Sequence, residues 1–142
     1  MRGNLAALLM AMSVEGEVIR HRGDWTELLP ALGYPELCKV LTFIAAEPVL
    51  VILSRKDRVD LQKLGTVVGS PVRLAKATEV KQINGAPVGE VNPFEGRLSL
   101  IVDKRLSSFK NVLIPMGDVA VKLNPENFSK LPKILLADVT QQ

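Results

Sequence analysis

Two apolar runs that follow each other in the chain restrict its fold more than any other feature. The first run, ELCKVLTFIA, covers residues 36–45, and the second, PVLVILS, covers residues 48–54. Both are rich in Val, Ile and Leu, which favour strands, and a tight break at Glu47 and Pro48 separates them. Strands joined by so short a connection pair antiparallel. The sequence therefore predicts two adjacent antiparallel strands.

Helices and further strands are predicted on both sides of this pair. The expected helix N-caps are Asn4, Asp24, Asp60, Thr78 and Asn124. The other expected strands are EGEVIRH, PVRLA, RLSLIVDKRL, NVLIPMG, VAVKLN and KILLADV. The 142 residues contain no internal repeat and no linker, which indicates a single domain over residues 1–142, of the α+β class with a mixed sheet.

The composition limits the chemistry that the chain can carry. Cys38 is the one cysteine and His21 the one histidine, so we expect no disulfide, no His-rich metal site and no cofactor. A Cys38–His21 pair lacks any motif, and a buried structural cysteine is the better interpretation. A free cysteine and the absence of a membrane-length apolar run favour a cytoplasmic protein without a membrane partner. The net charge of +3 permits an anionic partner without requiring one.

Lys39 is the unusual residue of the first apolar run. On a strand it shares one face with Leu37, Leu41 and Phe43, while Cys38 points to the other face. A lysine on an apolar face is costly unless its ammonium meets an anion or reaches water. The pattern alone leaves both interpretations open and favours the lysine that reaches water.

A glycine-rich and proline-rich loop, GAPVGEVNPFEGR, covers residues 85–97. Gly85 and Gly89 can adopt positive φ and let a ligand approach the backbone, while Pro87 and Pro93 fix φ beside them. Such a loop can present backbone groups to a ribose hydroxyl or a developing oxyanion. A structural turn before the next strand is an equally good interpretation.

Two shorter features have strong structural interpretations. Gly117 and Asp118 lie between two predicted strands and indicate a hairpin turn. The SRKDR cluster at residues 54–58 is most simply a solvated turn, although it could also contact nucleic-acid phosphates. The chain has no P-loop, no nucleophile elbow and no Ser-His-Asp order. An enzyme of this sequence would thus suit a substrate that brings its own catalytic group.

The order of these segments resembles the YbaK family, also called the prolyl-tRNA synthetase-associated editing domain. The segments are KVLTF, VLVILSRKDRVDLQKL, VRLAKATEV, NGAPVGEVNPF, LIVDKRL and LNPENF, within about residues 32–139. The most specific part is Gly89-x-x-x-Pro93 downstream of Lys39. The resemblance implies a compact domain with a curved, barrel-like mixed sheet and flanking helices. It also implies an enzyme that hydrolyses the ester of wrongly charged aminoacyl-tRNA.

The same resemblance implies the site residues and the partners. The catalytic residues would be Lys39 and Gly89, and the substrate-binding residues would be Val40, Gly85, Asn92, Pro93, Phe94, Gly117 and Asp118. The substrate would be the 3′ acceptor end of a tRNA carrying a small amino acid such as alanine or cysteine, with proline tRNA as one candidate. The hydroxyl of the terminal ribose would assist the reaction, and a synthetase is a further candidate partner.

Three functions stay open at this point. Lys39 and Gly89-x-x-x-Pro93 favour a trans-acting deacylase. Val40, where the family often has Thr or Asn, and the short Gly117–Asp118 turn favour a catalytically silent RNA-binding or synthetase-associated module. A small-molecule binding domain that does not engage tRNA is the third. The sequence also departs from the family at Glu90 and Glu95, where glycines are usual.

Overall fold

A computed structural model describes residues 4–142, which form one mixed sheet of eight strands with helices around it. The strands are β1 Gly16–Arg20, β2 Glu36–Ile44, β3 Val49–Ser54, β4 Arg73–Leu74, β5 Ser99–Asp103, β6 Val112–Met116, β7 Val119–Leu123 and β8 Ile134–Ala137. The α-helices are α1 Leu5–Ala11, α2 Leu61–Val68 and α3 Ala77–Asn84, and 3₁₀ helices cover Trp25–Leu28, Pro93–Glu95, Lys104–Ser108 and Pro125–Lys130. Residues 1–3 of the expected domain lie outside the described residues.

The sheet has the order β1-β7-β6-β2-β3-β5-β8, with β4 paired to the end of β2. β2 lies near the middle, because its first residues pair parallel with β6 and the following ones pair antiparallel with β3. β3 and β5 are parallel, as are β5 and β8. The predicted α+β class and mixed sheet are confirmed. Within the described residues β1 and β8 do not pair with each other, so the sheet is not closed.

The two apolar runs of residues 36–45 and 48–54 form the centre of the core. Every residue of β3 is buried, as expected for a continuous apolar strand that is covered on both faces. β2 instead alternates: Cys38 and Val40 pack on the largest hydrophobic cluster, whereas Leu41 and Phe43 pack on a second cluster with Leu64 of α2. This alternation confirms the two predicted faces of β2 and places Lys39 on the face of Leu41 and Phe43.

Most predicted helix ends are confirmed, and one is wrong. The Asp60 side chain accepts hydrogen bonds from the backbone of Gln62 and Lys63, and α2 ends at Gly69 with a φ of 78°. Thr78 does not cap α3, because the helix already begins at Ala77. The carboxylate of Glu79 accepts a hydrogen bond from the Lys76 backbone N–H at 2.9 Å, which closes the first turn and makes Lys76 the N-cap residue.

Several elements are shorter than predicted, among them β4, which covers two residues of PVRLA. The segment after Asp24 forms only the 3₁₀ helix Trp25–Leu28, and β5 ends at Asp103 because the chain turns at once into the 3₁₀ helix Lys104–Ser108. The helix predicted after Asn124 is also a 3₁₀ helix, and its cap is confirmed by the hydrogen bond from the Glu126 backbone to the Asn124 side chain. None of the helices within residues 4–142 is long and apolar enough to cross a membrane.

Candidate active site

A cleft of about 460 Å³ opens beside β2. It brings together Lys39, Val40 and Gly89 of the sequence-predicted site, which come from a strand and from the glycine-rich loop. The lining residues are Gly23, Asp24, Trp25, Leu37, Cys38, Lys39, Val40, Leu41, Arg55, Val88, Gly89 and Pro115. Apolar side chains therefore form most of the walls, and three charged residues stand among them.

Lys39 is half-buried in this cleft. Burial lowers the pKa of its ammonium, Arg58 and Arg55 lower it further, and Asp57 opposes them. Within residues 4–142 the ammonium makes no hydrogen bond and no ion pair. A cation that is partly desolvated and lacks a bonded partner is stabilised by an anion that enters the cleft.

Gly89 lines the same cleft and has a backbone conformation that favours glycine. Its φ is 85°, and an added Cβ would meet no heavy atom within 4 Å. The glycine is therefore required by its backbone geometry and not by crowding inside the protein. Its carbonyl accepts a hydrogen bond from the Gly117 N–H at 2.8 Å, which ties the loop to the turn between β6 and β7.

That turn is the predicted hairpin at Gly117 and Asp118. Met116 pairs with Val119 in the antiparallel register of β6 and β7, so the two-residue hairpin is confirmed. The Trp25 indole N–H donates to the Gly117 carbonyl at 2.9 Å, and the His21 backbone N–H donates to the Asp118 carbonyl at 3.0 Å. A series of hydrogen bonds thus runs from Trp25 through Gly117 to Gly89.

The other predicted site residues of the loop do not line this cleft. Gly85, Asn92 and Pro93 line a separate cavity of about 230 Å³. Phe94 is fully buried in the main core, and the Asn92 side chain accepts a hydrogen bond from the Phe94 backbone N–H at 2.8 Å. In the described structure these residues shape and anchor the loop, while Lys39, Val40 and Gly89 line the cleft.

Sequence reasoning missed Trp25 and Arg55 as cleft residues. The capping pattern at Asp24 predicted a helix start there, and the Asp24–Glu27 capping box is present, but no local signal ties Trp25 to Gly117. Arg55 follows β3 directly, and its backbone N–H donates to the Leu37 carbonyl at 2.9 Å. A contact between segments this far apart in the chain leaves no periodic trace in the sequence.

Two titratable groups of the cleft, Cys38 and Asp24, suit neither a nucleophile nor a base. Burial raises the pKa of the Cys38 thiol, which donates to the Glu36 carbonyl at 3.5 Å, so the thiol stays protonated. The Thr26 N–H bonded to Asp24 lowers the pKa of that carboxyl, which makes it a weak proton acceptor. Within residues 4–142 no three His, Cys, Asp or Glu side chains lie close enough together to hold a metal ion.

The sequence profile described as the aminoacyl-tRNA editing domain matches residues 24–129. The chain belongs to this family, which confirms the resemblance to the YbaK family. A solved structure of a hypothetical protein is 25% identical, with a TM-score of 0.85 over 97% of this chain and 99% of that one. A structure described as a candidate trans-editing enzyme for prolyl-tRNA synthetase is 23% identical, with a TM-score of 0.84 over 99% and 96%. No curated protein matches the chain.

Proposed function

We propose that this protein is a trans-acting deacylase that hydrolyses the ester of mischarged aminoacyl-tRNA. The observation that carries the proposal is the cleft that Lys39 and Gly89 line together, in which the Lys39 ammonium has no hydrogen bond or ion pair within residues 4–142. Membership of the aminoacyl-tRNA editing domain family supports the same substrate class. The fold shared with a candidate trans-editing enzyme for prolyl-tRNA synthetase makes proline tRNA, and association with that synthetase, the first combination to test.

In the proposed reaction Lys39 and Gly89 position the substrate. The Lys39 ammonium binds a phosphate or ribose oxygen of the terminal nucleotide, and backbone groups around Gly89 hold the ribose against β2. The free ribose hydroxyl assists a water molecule in attacking the ester carbonyl. The ester C–O bond then breaks and releases the amino acid and a tRNA with both hydroxyls free. Holding the reacting groups in line is a contribution that a site can make without a base of its own.

The walls of the cleft suit a small, weakly polar aminoacyl group. Trp25, Leu41, Val88 and Pro115 surround Lys39 with apolar surface, and Val40 offers no hydroxyl or amide to bind a polar side chain. We therefore propose alanyl and cysteinyl esters as substrates and expect bulky esters to react slowly. The discrimination between near-isosteres will be small, because one methylene contributes about 1–3 kcal/mol.

A deacylation screen tests this function. Purified protein is incubated with tRNAs that carry alanine, cysteine, serine or proline, and the remaining ester is measured over time against a buffer control. The proposal predicts hydrolysis of at least the alanyl or cysteinyl ester above the buffer rate. Faster hydrolysis of a large aromatic ester than of alanyl-tRNA would contradict the proposed pocket.

A catalytically silent RNA-binding or synthetase-associated module is the second candidate. The observation in its favour is Val40, an apolar residue that lines the cleft beside Lys39. The same screen separates the two functions. Protein that binds tRNA and leaves all four esters at the buffer rate has the second function.

A further inference from the structure

The basic segment of residues 54–58, SRKDR, enters the lining of the candidate active site through Arg55. Its backbone is held in three places: Arg55 N–H donates to the Leu37 carbonyl at 2.9 Å, Asp57 N–H to Ser54 at 3.0 Å, and Gln141 N–H to Arg58 at 2.9 Å. The last contact pairs the C-terminal residues with the segment. The side chains of the basic segment are therefore presented from a fixed backbone, although the sequence alone favoured a solvated turn.

The three cations of the basic segment differ in their partners. Lys56 is engaged, since its ammonium lies 3.4 Å from the Glu36 carboxylate and 5.7 Å from the centre of the Phe109 ring. Arg55 and Arg58 are exposed, and within residues 4–142 neither guanidinium makes a hydrogen bond or an ion pair. Two arginines of the segment are thus available to a ligand, while the lysine between them already has a carboxylate partner.

Two carboxylates, those of Asp24 and Asp57, offset part of this positive charge. Asp57 attracts Lys39 and lies 4.0 Å from Arg105, and Asp24, which accepts the Thr26 backbone N–H at 2.9 Å, attracts Arg55. Arg55 lines the same cleft as Lys39, and both arginines act on the Lys39 ammonium electrostatically. Three neighbouring cations repel one another, and a bound polyanion would remove that repulsion.

We propose that Arg55 and Arg58 form a phosphate-binding track that leads to Lys39 and binds the backbone of the single-stranded 3′ end of an RNA. The track rests on the proposed function and names the part of the substrate that is recognised, namely the phosphates that precede the terminal nucleotide. Arginine suits this task because its planar guanidinium can donate two parallel hydrogen bonds to one phosphate. The track reads charge and strand direction and carries no base preference.

The salt dependence of RNA binding tests the track. The dissociation constant of a tRNA minihelix with an uncharged single-stranded 3′ end is measured from low to moderate salt for wild type, Arg55→Gln and Arg58→Gln. Each lost phosphate contact should reduce the slope of log K against log salt by about 0.7. The matched control is Arg73→Gln, because Arg73 lies at the far end of β2, opposite Ile44, and is already paired with Glu79. This control should keep the wild-type slope.

A second measurement separates the track from the deacylase function. On an aminoacylated minihelix, Arg55→Gln and Arg58→Gln should each lower kcat/KM by about tenfold, as expected for a lost charge-assisted contact. On aminoacyl-adenosine, which lacks the preceding phosphates, the same two variants should lose clearly less activity than on the minihelix, and Arg73→Gln should keep the wild-type rate on both substrates. Wild type that binds RNA with the predicted slopes but hydrolyses nothing supports the track and refutes the deacylase. Slopes of both variants equal to wild type, or wild type that does not bind the minihelix, overturn the track whether or not hydrolysis occurs.

Discussion

Substitution of Gly89 by alanine separates a ligand-facing loop from a structural turn. Gly89 has a φ of 85°, and an added Cβ would meet no heavy atom within 4 Å. The substitution therefore costs only the left-handed backbone strain of an L-residue, about 1–2 kcal/mol. For a domain of this length 1 kcal/mol lowers Tm by about 2–4 °C. We expect a folded protein with a Tm a few degrees below that of the wild type.

The loss of activity should be much larger than this loss of stability. A methyl group at Gly89 would stand in open space at a residue that lines the cleft, where the proposed function places the ribose. Misplacement of the ester by about 1 Å can lower the rate on the order of 100-fold. We therefore predict a drop of that order in kcat/KM on alanyl-tRNA, measured beside thermal unfolding of the same preparation.

Gly69→Ala is the matched control for this prediction. Gly69 ends α2 with a φ of 78°, and an added Cβ there also meets no heavy atom within 4 Å. Because the backbone strain is the same in kind, both variants should lose a similar amount of Tm, but Gly69→Ala should keep wild-type deacylation. Equal activity of the two variants would refute a ligand-facing Gly89. A much lower Tm of Gly89→Ala than of Gly69→Ala would make the loop a structural turn.

Substitutions at three further residues test the site. Lys39→Ala should fold normally and lose nearly all deacylation in kinetic assays, with Lys39→Arg weakly active. Because burial and nearby arginines lower the Lys39 pKa, RNA binding should weaken as the pH rises, and at a lower pH than that at which an ordinary lysine loses its proton. Cys38→Ala should keep most of its kcat, since the thiol stays protonated, and an inactive but folded variant would refute the substrate-assisted mechanism. Trp25 is the single tryptophan, so global replacement of tryptophan by benzothienylalanine changes one side chain and puts sulfur in place of its N–H. The kcat should then fall several-fold with KM little changed. An unchanged kcat would refute the role of Trp25 in positioning Gly89.

Local patterns in the sequence predicted most of the elements correctly. The alternation in β2 and the continuous apolar run of β3 follow from side-chain period and burial, which neighbouring residues already encode. Asp60 and Gly69 bound α2 as expected, because caps act within one turn of the helix. The prediction for Thr78 was wrong for a local reason as well. The Glu79 carboxylate accepts a hydrogen bond from the Lys76 N–H, so the helix begins after Lys76 and has no second N-cap at Thr78.

The division of the glycine-rich loop between two cavities could not be predicted in this way. It depends on Phe94, which is fully buried, and on the Gly117 N–H, which reaches the loop from a hairpin later in the chain. The contribution of Trp25 and Arg55 to the cleft depends on contacts of the same long-range kind. Such contacts are fixed by the packing of the whole sheet, so single-sequence patterns do not carry them.

The two anchors of the loop explain how a glycine-rich segment can remain well positioned. Phe94 fixes one side in the core, and the hydrogen bond between the Gly117 N–H and the Gly89 carbonyl fixes the other. Gly117 makes its contacts to Gly89 and Trp25 through backbone atoms, at a φ of 79° that favours glycine. Backbone atoms of Gly117 are therefore enough to fix this side of the loop beside the cleft that Lys39 lines. If the turn acts on the site only by holding the loop, the short turn of Gly117 and Asp118 is compatible with an active deacylase.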